Sequence, residues 1–403
     1  MLSESPISAR PRLHRETGGR AAKLYCSKFT KLLLYLSVVN GLLCGIPTNK
    51  AMTTTEQTPT KVIDHKPTNT GAAFGSEVSA HMLMGVYRDG QWQEQAIVPF
   101  GPLMLSPTNL ALHYGQSIFE GMKAFRMKDG NISVFRIDKH HERLNKTLER
   151  MSMPQMPFSY FDQAIRELVA VDADYVPDLN EGSLYIRPFV FATGEGFRVR
   201  VSDTYQFVIF TGPVGDYYQK PVRVKVETEF IRAAEGGPGF AKCAGNYAAA
   251  FYPTQKANRE GFDNLLWTDS RQHEFIEESG TMNAMFVIDE VLITPSLTGT
   301  ILDGITRDSL IRLARDMGVK VQQRKISYKE LIAGAEQGLL QEAFGVGTAA
   351  VVSPIELIQV HGQDYPLPPY SDNSLWFRLK QRLTQIRTGY EADMYGWNTV
   401  LDV

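Results

Sequence analysis

Hydrophobic segments in the first half of the chain predict strands paired by tight turns, followed by helices. Asp-Gly between two hydrophobic segments is typical of a β-hairpin, and two such pairs occur, with strands predicted at residues 82–87 with Trp92 and at 122–126 with 132–136. Apolar residues then recur at helical spacing, and two continuous apolar segments follow, so that helices are predicted at 141–151 and 161–171 and buried strands at 184–188 and 205–210. We therefore expect a small α+β domain with an antiparallel sheet over residues 73–210.

A turn-rich segment separates this region from a second one with a different order of elements. Residues 211–215 read Thr-Gly-Pro-Val-Gly, a composition that predicts turns, and we place an interdomain loop at 211–220. Beyond it strand and helix patterns alternate, with strands predicted at 222–226, 264–267, 286–288 and 291–294 and helices at 247–258, 307–317 and 329–338. This alternation predicts a larger, mixed α/β domain over residues 221–403.

The N-terminal region differs in composition from the rest of the chain. Residues 1–31 are rich in Arg, Lys and Ser, with Glu4 and Glu16 as the only acidic residues, and an apolar segment follows at 32–46. That segment is shorter than the ~20 residues of a comfortable transmembrane helix. Three interpretations stay open: a start placed too far upstream, with Met52 as the natural start, a mitochondrial transit peptide, or a secretion signal. We expect residues 1–72 to form a disordered extension.

Composition limits the classes of partner and of metal chemistry. The 403 residues carry a formal net charge of -2, which gives no electrostatic reason to expect nucleic acid or a membrane surface as a partner. Of Cys26, Cys44 and Cys243, only the last lies in the predicted folded part, so we expect a reducing compartment. That compartment would be the cytoplasm, or the mitochondrion if the first 51 residues are a transit peptide. The sequence contains neither a C-x-x-C nor an H-E-x-x-H spacing, so we expect no metal site.

Lys242 is the first candidate for catalysis. It lies among small residues at 241–245, just after the glycine-rich segment 236–239, and Tyr247 follows closely enough to contact the same ligand. A lysine amine in a tight, partly desolvated pocket loses its proton more easily and attacks carbonyl groups. These are the properties of a Schiff-base lysine for pyridoxal phosphate, and the alternative is an ordinary surface lysine.

Pyridoxal phosphate makes further demands, and the sequence offers a candidate for each. An acid must keep its ring nitrogen protonated, and Glu278 is the candidate, with a solvated glutamate at a strand end as the alternative. Its phosphate needs backbone N–H groups at a helix N-terminus, which Gly304-Ile305-Thr306 would provide unless Thr306 is only an N-cap. A second glycine-threonine turn at 344–350 and the cation of Arg143 complete the candidate phosphate site.

In their order along the chain, these residues closely resemble the branched-chain amino acid aminotransferases, which are fold-type IV pyridoxal-phosphate enzymes. The resemblance runs collinearly from about Phe74 to the C-terminus and does not cover the first fifty or so residues. It implies two domains with the cofactor at their interface, and a homodimer or larger homo-oligomer. The matching blocks lie at 112–114, 119–125, 184–188, 213–217, 230–233, 242–247, 278–283, 304–306 and 344–349.

The resemblance also implies a role for each candidate residue at the cofactor. Lys242 would form the Schiff base and then transfer the proton between substrate and cofactor. Glu278 would pair with the pyridine nitrogen, and Tyr247 would bond the phenolic oxygen. The phosphate would be held by Arg143, Ile305, Thr306 and Thr348.

The same resemblance implies a pocket for an aliphatic side chain. Its residues are Phe74, Tyr114, Phe119, Tyr185, Arg187 and Tyr217, with Thr348 and Ala349 against the substrate carboxylate. Aromatic rings offer the apolar area that Leu, Ile and Val need, and core packing is their alternative role. Arg187 and the tyrosine hydroxyls would bind the extra carboxylate of 2-oxoglutarate. Mammalian members carry a redox-active C-x-x-C where this chain has Ala350 and Ser353, so thiol regulation is not expected.

The implied activity is transfer of the amino group of L-leucine, L-isoleucine or L-valine to 2-oxoglutarate. A D-amino acid transaminase and an aminodeoxychorismate lyase share the fold and are the alternatives within it; the aromatic set and Tyr185-x-Arg187 favour the branched-chain enzyme. A membrane-tethered binding protein without catalytic activity is the alternative from another class, and only the apolar segment at 32–46 suggests it.

Overall fold

Both Asp-Gly pairs close β-hairpins, as predicted. The computed structural model, which describes residues 60–63, 74–215, 217–218 and 220–401, pairs Tyr87 with Trp92 across the first turn and Phe125 with Ser133 across the second. Asp89 and Gly90 have φ angles of 53° and 79°, the left-handed backbone that such two-residue turns require. The prediction of a disordered extension over residues 1–72 falls mostly outside the described residues. It is wrong at 61–63, because Lys61–Val62 form a strand that pairs with Glu77–Val78, and Ile63 is buried.

The first half of the described chain contains the predicted strands and helices, and most of them are longer than predicted. The helix predicted at 141–151 begins at residue 137, and the one predicted at 161–171 begins at residue 158. In chain order the elements are β1 (Lys61–Val62), β2 (Glu77–Val78), β3 (His81–Arg88), β4 (Gln91–Trp92), β5 (Ala96–Pro99), α1 (Leu110–Tyr114), β6 (Ser117–Phe119), β7 (Met122–Arg126), β8 (Ile132–Phe135), α2 (Ile137–Arg150), α3 (Phe158–Val171), a 3₁₀ turn (Ala173–Tyr175), β9 (Ser183–Ala192) and β10 (Tyr205–Val214).

The second half contains the predicted strands and helices, except that two helices, Ala244–Ala248 and Phe251–Arg259, replace the single helix predicted at 247–258. Among the described residues, no helix is long and apolar enough to cross a membrane. The elements are β11 (Val222–Glu227), α4 (Ala244–Ala248), α5 (Phe251–Arg259), β12 (Asn264–Thr268), β13 (Ile276–Ser279), β14 (Met282–Ile288), β15 (Val291–Thr294), α6 (Ile305–Asp316), β16 (Val321–Gln323), α7 (Tyr328–Glu336), β17 (Leu340–Gly347), β18 (Val351–Val360), β19 (Gln363–Pro366), α8 (Leu375–Arg387) and β20 (Asn398–Leu401).

Strands β3 to β10, together with β20, form an antiparallel sheet on which α2 and α3 pack, and β1 and β2 form a separate parallel pair. The strand order is β20-β8-β7-β9-β10-β3-β4, with β5 on β3 and β6 on β9. Helix residues at helical spacing, such as Leu144 and Leu148 on α2 and Phe161, Ile165 and Leu168 on α3, are buried in one core cluster with residues of these strands. This arrangement confirms the predicted antiparallel sheet.

The second sheet is mixed and partly closed on itself. Its strand order is β13-β12-β11-β18-β17-β14-β15-β16, and β13 also pairs with β14. The pairings of β11 with β12 and with β18 are parallel, whereas β14 and β17 are antiparallel. The strands β13, β12, β11, β18, β17 and β14 therefore form a closed ring, which the sequence pattern does not predict.

Two boundaries differ from those predicted. Strand β10 continues through Thr211 to Val214, so the glycine and proline there are strand residues and not the start of a loop. A Cβ on Gly212 would lie 2.4 Å from the Glu77 carbonyl oxygen, and beyond Phe210 the ladder with β3 has ended, so a proline is tolerated at this edge. At the other end, β20 pairs with β8, so the C-terminal strand joins the first sheet and not the second.

The second glycine-threonine segment is also mostly strand. Residues 344–347 belong to β17, and only 348–350 form a turn before β18. A Cβ on Gly345 would lie 2.5 Å from the Met282 side chain, so this glycine permits close packing between β17 and the strand beside it. The predicted turn at 344–350 is therefore shorter than expected, but it retains Thr348 and Ala349.

Two adjacent leucines test the burial of the second sheet. Leu340 on β17 is buried in a core cluster with Phe286 and Ile355, whereas Leu339 is 39% exposed. We expect Leu340→Ala to lower the free energy of unfolding by about 2–5 kcal/mol and Leu339→Ala by less than about 1 kcal/mol. Urea unfolding of the cofactor-free protein measures both, and equal losses would contradict this assignment of the core.

Candidate active site

A cavity of about 630 Å³ brings together all but one of the predicted site residues. Its lining comes from both sheets, from the segment before α4 and from the N-terminus of α6. The cavity therefore gathers residues that are far apart in the sequence. The predicted residues that line it are Phe74, Phe119, Arg143, Tyr185, Arg187, Tyr217, Lys242, Tyr247, Glu278, Ile305, Thr306, Thr348 and Ala349.

Hydrogen bonds to the first half of the chain hold the backbone of Lys242. Its N–H donates to Thr147 Oγ1 on α2 at 3.1 Å, and its carbonyl accepts from the N–H of Phe119 on β6 at 3.1 Å. Asn246 Nδ2 donates to the Ala241 carbonyl at 2.8 Å, which ties the start of α4 to the same segment. The lysine side chain therefore enters the cavity from a backbone that two other elements hold in place.

The amine of Lys242 lies between a hydroxyl and an aromatic ring. Nζ donates to the Tyr247 hydroxyl at 3.0 Å and is 4.8 Å from the ring centroid of Phe119. The rings of Phe119 and Tyr247 are themselves 4.9 Å apart. Lys242 and Tyr247 therefore lie close enough to contact the same ligand in the cavity, as their spacing in the sequence predicts. Lys242 is not a surface lysine.

Glu278 on β13 is buried, and three groups hold its carboxylate. Oε1 accepts from the N–H of Leu302 at 2.5 Å and from Asn283 Nδ2 at 3.5 Å, while Oε2 lies 3.2 Å from Arg232 Nε. Burial raises the pKa of Glu278, and Arg232 and the Leu302 N–H oppose that rise. Glu278 is therefore an oriented, charge-compensated carboxylate and not a solvated one.

Arg143 is held by a bidentate ion pair with Glu120. Its Nε and Nη2 donate to the two oxygens of Glu120 at 2.7 and 2.8 Å, and Nη1 donates to the Asp303 carbonyl at 2.9 Å. His140 Nδ1 lies 2.9 Å from Glu120 Oε2. Burial alone would raise the pKa of Glu120, but Arg143 and His140 outweigh it and hold that pKa well below its usual range. The carboxylate is therefore ionised within the protein interior.

The charge state of His140 follows from the same contacts. Burial lowers the pKa of His140, although its hydrogen bond to Glu120 works in the opposite direction. The ring is therefore neutral at pH 7, and because Glu120 is an acceptor, the proton of the imidazole is on Nδ1. The cluster then contains one cation and one anion, so it is electrically balanced.

Helix α6 directs its N-terminus into the cavity. Its N-cap is Gly304, which offers no capping side chain, so no side chain occupies the N–H groups of the first turn. A Cβ on Gly304 would lie 1.8 Å from Asn283 Oδ1, so close packing against Asn283 requires glycine here. Thr306 is a residue of the first turn, and the alternative role predicted for it as N-cap is wrong.

Thr348 and Ala349 lie in the turn between β17 and β18, at the edge of the cavity. The amine of Lys123 on β7 donates to the Ala349 carbonyl at 3.2 Å, and Lys123 is buried. Lys123 is also the register partner of Tyr185 on β9. A buried cation from the first sheet therefore supports the turn of the second sheet at the cavity wall.

Phe74, Tyr185 and Tyr217 form a continuous aromatic wall. The ring centroids of Phe74 and Tyr185 are 5.0 Å apart, and those of Phe74 and Tyr217 are 4.9 Å apart. Arg187 Nη2 donates to the Tyr185 hydroxyl at 3.0 Å, and its guanidinium lies 4.7 Å from the Phe119 ring centroid. Arg187 Nε is buried and has no hydrogen-bond partner among the described residues. The wall is thus mainly apolar, and it contains one cation, Arg187, that makes few hydrogen bonds to the described residues.

Tyr114 is the predicted site residue that the structure does not bring to the cavity. It ends α1, is 39% exposed, and its hydroxyl donates to the Phe197 carbonyl at 2.6 Å. Its predicted place in the pocket is therefore not reproduced within one chain.

Sequence reasoning assigned no role to the residues that hold the predicted ones in place, although most of them lie in the matching blocks: Glu120, Lys123, His140, Arg232 and Asn283. Glu120 and Lys123 interrupt an apolar strand segment, and both are buried. A charge at a predicted core position needs a partner, so this interruption was an available signal. The identity of the partner was not available, because the pairing joins a strand region to a helix.

Comparison with known proteins agrees with this geometry. The family described as amino-transferase class IV matches residues 117–358, which is more than half of the chain. The chain belongs to the class IV aminotransferase family. Another member, branched-chain-amino-acid transaminase 1 of Bacillus subtilis (strain 168), is 41% identical over 347 residues, which cover 85% of this chain and 98% of that relative.

Solved structures of class IV aminotransferases share the fold. A branched-chain aminotransferase from Thermoproteus uzoniensis with norvaline superimposes with a TM-score of 0.65 at 26% identity, covering 79% of this chain and 99% of that one. A branched-chain amino acid aminotransferase from T.th., complexed with N-(5'-phosphopyridoxyl)-L-glutamate, gives 0.63 at 26% identity, covering 78% and 97%. The predicted fold class, fold-type IV, is thereby confirmed.

The balance of charge at Arg143 leads to a stability prediction for this class IV aminotransferase. Glu120→Gln leaves a buried guanidinium without a counter-charge, so we expect a loss of about 3–5 kcal/mol in the free energy of unfolding. Glu142→Gln is the control, because Glu142 is exposed and pairs with Lys139 at 2.7 Å, a contact worth at most about 1 kcal/mol. Denaturant unfolding of the cofactor-free chains measures both, and a small loss for Glu120→Gln would contradict the burial of charge.

Proposed function

We propose that this protein is a branched-chain amino acid transaminase that uses pyridoxal 5'-phosphate. It transfers the amino group of L-leucine, L-isoleucine or L-valine to 2-oxoglutarate and forms L-glutamate. The observation that carries the proposal is a single cavity in which Lys242, Glu278, Arg143 and the N-terminus of α6 face an aromatic wall. The name of the Bacillus subtilis relative and the phosphopyridoxyl-glutamate of the T.th. enzyme support the substrate class and the cofactor.

The donor set of the cavity fits pyridoxal phosphate. A phosphate fits the uncapped first turn at Ile305 and Thr306, beside Arg143 and Thr348, since these groups combine backbone N–H groups, a hydroxyl and a cation. A protonated ring nitrogen fits the buried carboxylate of Glu278, and a phenolic oxygen fits the Tyr247 hydroxyl. When bound, the cofactor supplies an electron sink for negative charge at the substrate Cα.

Lys242 is the residue placed to move the proton at the substrate Cα. Its Nζ is held by the Tyr247 hydroxyl at 3.0 Å, and the Phe119 ring excludes water from one side. A neutral amine in this position accepts the Cα proton and returns it on the cofactor side. Arg232 lies beside the carboxylate of Glu278, and Arg143 would hold the phosphate end of the cofactor.

The wall of the cavity accounts for both substrates. The rings of Phe74, Tyr185 and Tyr217 offer apolar contact to an aliphatic side chain, whose full burial is worth roughly 1.5–3 kcal/mol. Thr348 and Ala349 face the carboxylate that every substrate carries. For 2-oxoglutarate, the Arg187 guanidinium in the cavity wall supplies hydrogen-bond donors to the second carboxylate. Donor and acceptor therefore use the same cavity in turn.

A homodimer is part of the proposal. Exposed apolar side chains lie on and near α1 and on the loop at 194–201. Hydrogen bonds join these two segments, for example from the Leu110 N–H to the Gly194 carbonyl. We call this surface the apolar patch; it comprises Met104, Leu105, Leu112, Phe197, Val199 and Val201. Large exposed apolar patches mark interaction sites, and Tyr114, predicted for the pocket, lies beside this one. A second copy docked here would cover the patch.

The cytoplasm is the proposed location. Among the described residues Cys243 is a buried free thiol, which suits a reducing compartment. The mitochondrial alternative depends on residues 1–51, which lie outside the described residues, and the bacterial relative does not support it. The N-terminal mass of the protein isolated from its own cells tests whether those residues belong to the mature chain.

Replacement of the central lysine tests the function directly. We expect the wild-type protein with pyridoxal phosphate to convert L-leucine and 2-oxoglutarate to glutamate, and Lys242→Ala to lower kcat by at least about 10³-fold. The visible absorbance of the bound cofactor should change as well, because its covalent link is lost. Lys256→Ala, an exposed lysine on α5, is the control and should retain activity. Normal turnover of leucine by Lys242→Ala would disprove the assignment.

A substrate panel separates the branched-chain activity from the others of this fold. Wild-type protein is assayed with L-leucine, D-alanine and aminodeoxychorismate under identical conditions. We expect kcat/KM to favour L-leucine, because the aromatic wall offers apolar area and few polar partners. Higher kcat/KM for either of the other two would replace the proposed substrate class while leaving the cofactor assignment intact.

The apolar patch gives a prediction for the assembly. Phe197 is 85% exposed, so a charge there is harmless in a monomer but unfavourable in an apolar interface. We expect Phe197→Glu to convert the dimer to monomer in sedimentation velocity runs and Met394→Glu, which is 88% exposed and outside the patch, to leave it a dimer. An unchanged dimer in Phe197→Glu would place the interface elsewhere.

A further inference from the structure

Glu277, the neighbour of Glu278 on β13, is buried with half of its carboxylate unsatisfied. The residue is 7% exposed. Oε1 accepts a hydrogen bond from the Thr300 hydroxyl, and Oε2 has no partner among the described residues. Consecutive strand residues point to opposite faces, and Glu277 does not line the cavity. The function proposed above gives it no role.

Arg232 and Thr300 connect Glu277 to Glu278. Arg232 lies 3.2 Å from the carboxylate of Glu278, and its Nη2 also donates to the carbonyls of Thr300 and Gly239. Thr300 therefore accepts from Arg232 through its backbone and donates to Glu277 through its hydroxyl. Gly239 packs so tightly here that a Cβ on it would lie 2.7 Å from Thr300 Cα. These contacts form a dense cluster behind the catalytic carboxylate.

The cluster contains more acids than bases. The charged groups that act electrostatically on Glu277 include Arg232 from the segment before Lys242, Glu278 from β13, and Asp269 from the connection between β12 and β13. Partial burial opposes ionisation of Asp269, but four backbone N–H groups outweigh it and lower its pKa, so Asp269 is ionised. One arginine therefore acts on three carboxyl groups. Because excess negative charge is unfavourable in a low dielectric, a proton is favoured on one of these carboxyl groups.

We propose that Glu277 holds this proton and is a positioning residue for Glu278. While Glu277 is neutral, the charge of Arg232 compensates only Glu278. Among the described residues, Glu278 has Arg232, the Leu302 N–H and Asn283 as partners, whereas Glu277 has only the Thr300 hydroxyl. Ionisation is therefore better supported at Glu278 than at Glu277. The link to catalysis rests on the proposed function, in which Glu278 faces the cofactor; the protonation of Glu277 does not.

The pH dependence follows from the environment of Glu277. Burial raises its pKa to about 7 from an ordinary value of 4.5, with Thr300 and Arg232 opposing the rise and Glu278 and Asp269 adding to it. Because the pKa is higher in the folded chain than in the unfolded one, folding is favoured below about pH 4.5, and this contribution is lost as the pH rises through 7. A side chain that is neutral at every pH avoids that loss.

Thermal unfolding of the cofactor-free protein at several pH values tests the protonation. We expect Glu277→Gln and wild type to unfold at similar temperatures at pH 5, and Glu277→Gln to unfold on the order of 5 °C higher at pH 8. Glu336→Gln, an exposed glutamate on α7, is the control and should follow the wild type at both pH values. Parallel profiles for Glu277→Gln and wild type would overturn the proposal.

A second variant keeps the test independent of how well Glu277→Gln folds. Thr300→Val removes the hydroxyl that stabilises the ionised carboxylate, so the inflection in stability should move to higher pH by on the order of one unit. An inflection that stays in place would overturn the assignment to Glu277.

The pH profile of kcat for leucine transamination tests the positioning role. We expect wild type to show an inflection near pH 7 that Glu277→Gln lacks. If the unfolding data behave as expected and both kcat profiles are identical, Glu277 titrates without positioning Glu278, and the role is wrong. If wild type has no leucine activity at all, the proposed function fails, while the unfolding result still decides the protonation of Glu277.

Discussion

The buried ion pair between Glu120 and Arg143 is the interaction on which the rest of the site depends. An arginine at this depth without a counter-charge would cost several kcal/mol, so Arg143 stays in the cavity only with the ionised carboxylate beside it. The pair also joins the two halves of the chain, because Arg143 on α2 reaches the carbonyl of Asp303 just before α6. The arginine and the helix N-terminus are thereby held in register before any anion binds, so ordering them costs a ligand little of its binding energy.

A second pair of buried charges follows the same rule on the other side of the cavity. Arg232 compensates Glu278, and the Leu302 N–H bonds the same carboxylate. Leu302 and Asp303 are adjacent, so one short segment touches both charge pairs, Glu278 through an N–H and Arg143 through a carbonyl. A displacement of that segment would alter both ends of the cavity together. The two sides of the site are therefore coupled through this segment, although their charged side chains come from different halves of the chain.

The part of the site that is local in sequence could be predicted, and the part that depends on distant contacts could not. Lys242 lies just before α4 and Tyr247 within it, only five residues later, and the first turn of α6 follows a glycine, so a short pattern contains each arrangement. The partnership of Glu120 with Arg143 joins a strand region to a helix, and no periodicity encodes it. Glycines misled the prediction for a related reason: Gly212 permits close approach of a neighbouring backbone inside a strand, and the sequence does not distinguish that use from a turn.

Arg143 and Arg187, which both line the cavity, differ in whether a carboxylate of the described residues compensates their charge. This difference suits them to different functions. Arg143 is already neutralised by Glu120, so it offers an anion a fixed donor rather than a net positive charge, and the dipole of α6 must supply much of the attraction. Arg187 has only a tyrosine hydroxyl and aromatic faces around it, and its Nε has no partner among the described residues. Its charge is therefore unbalanced in an apolar wall. An aliphatic substrate leaves that charge as it is, whereas a dicarboxylate neutralises it. The wall can thus accept two chemically different side chains because one of them brings a counter-ion for Arg187 that the described residues do not supply.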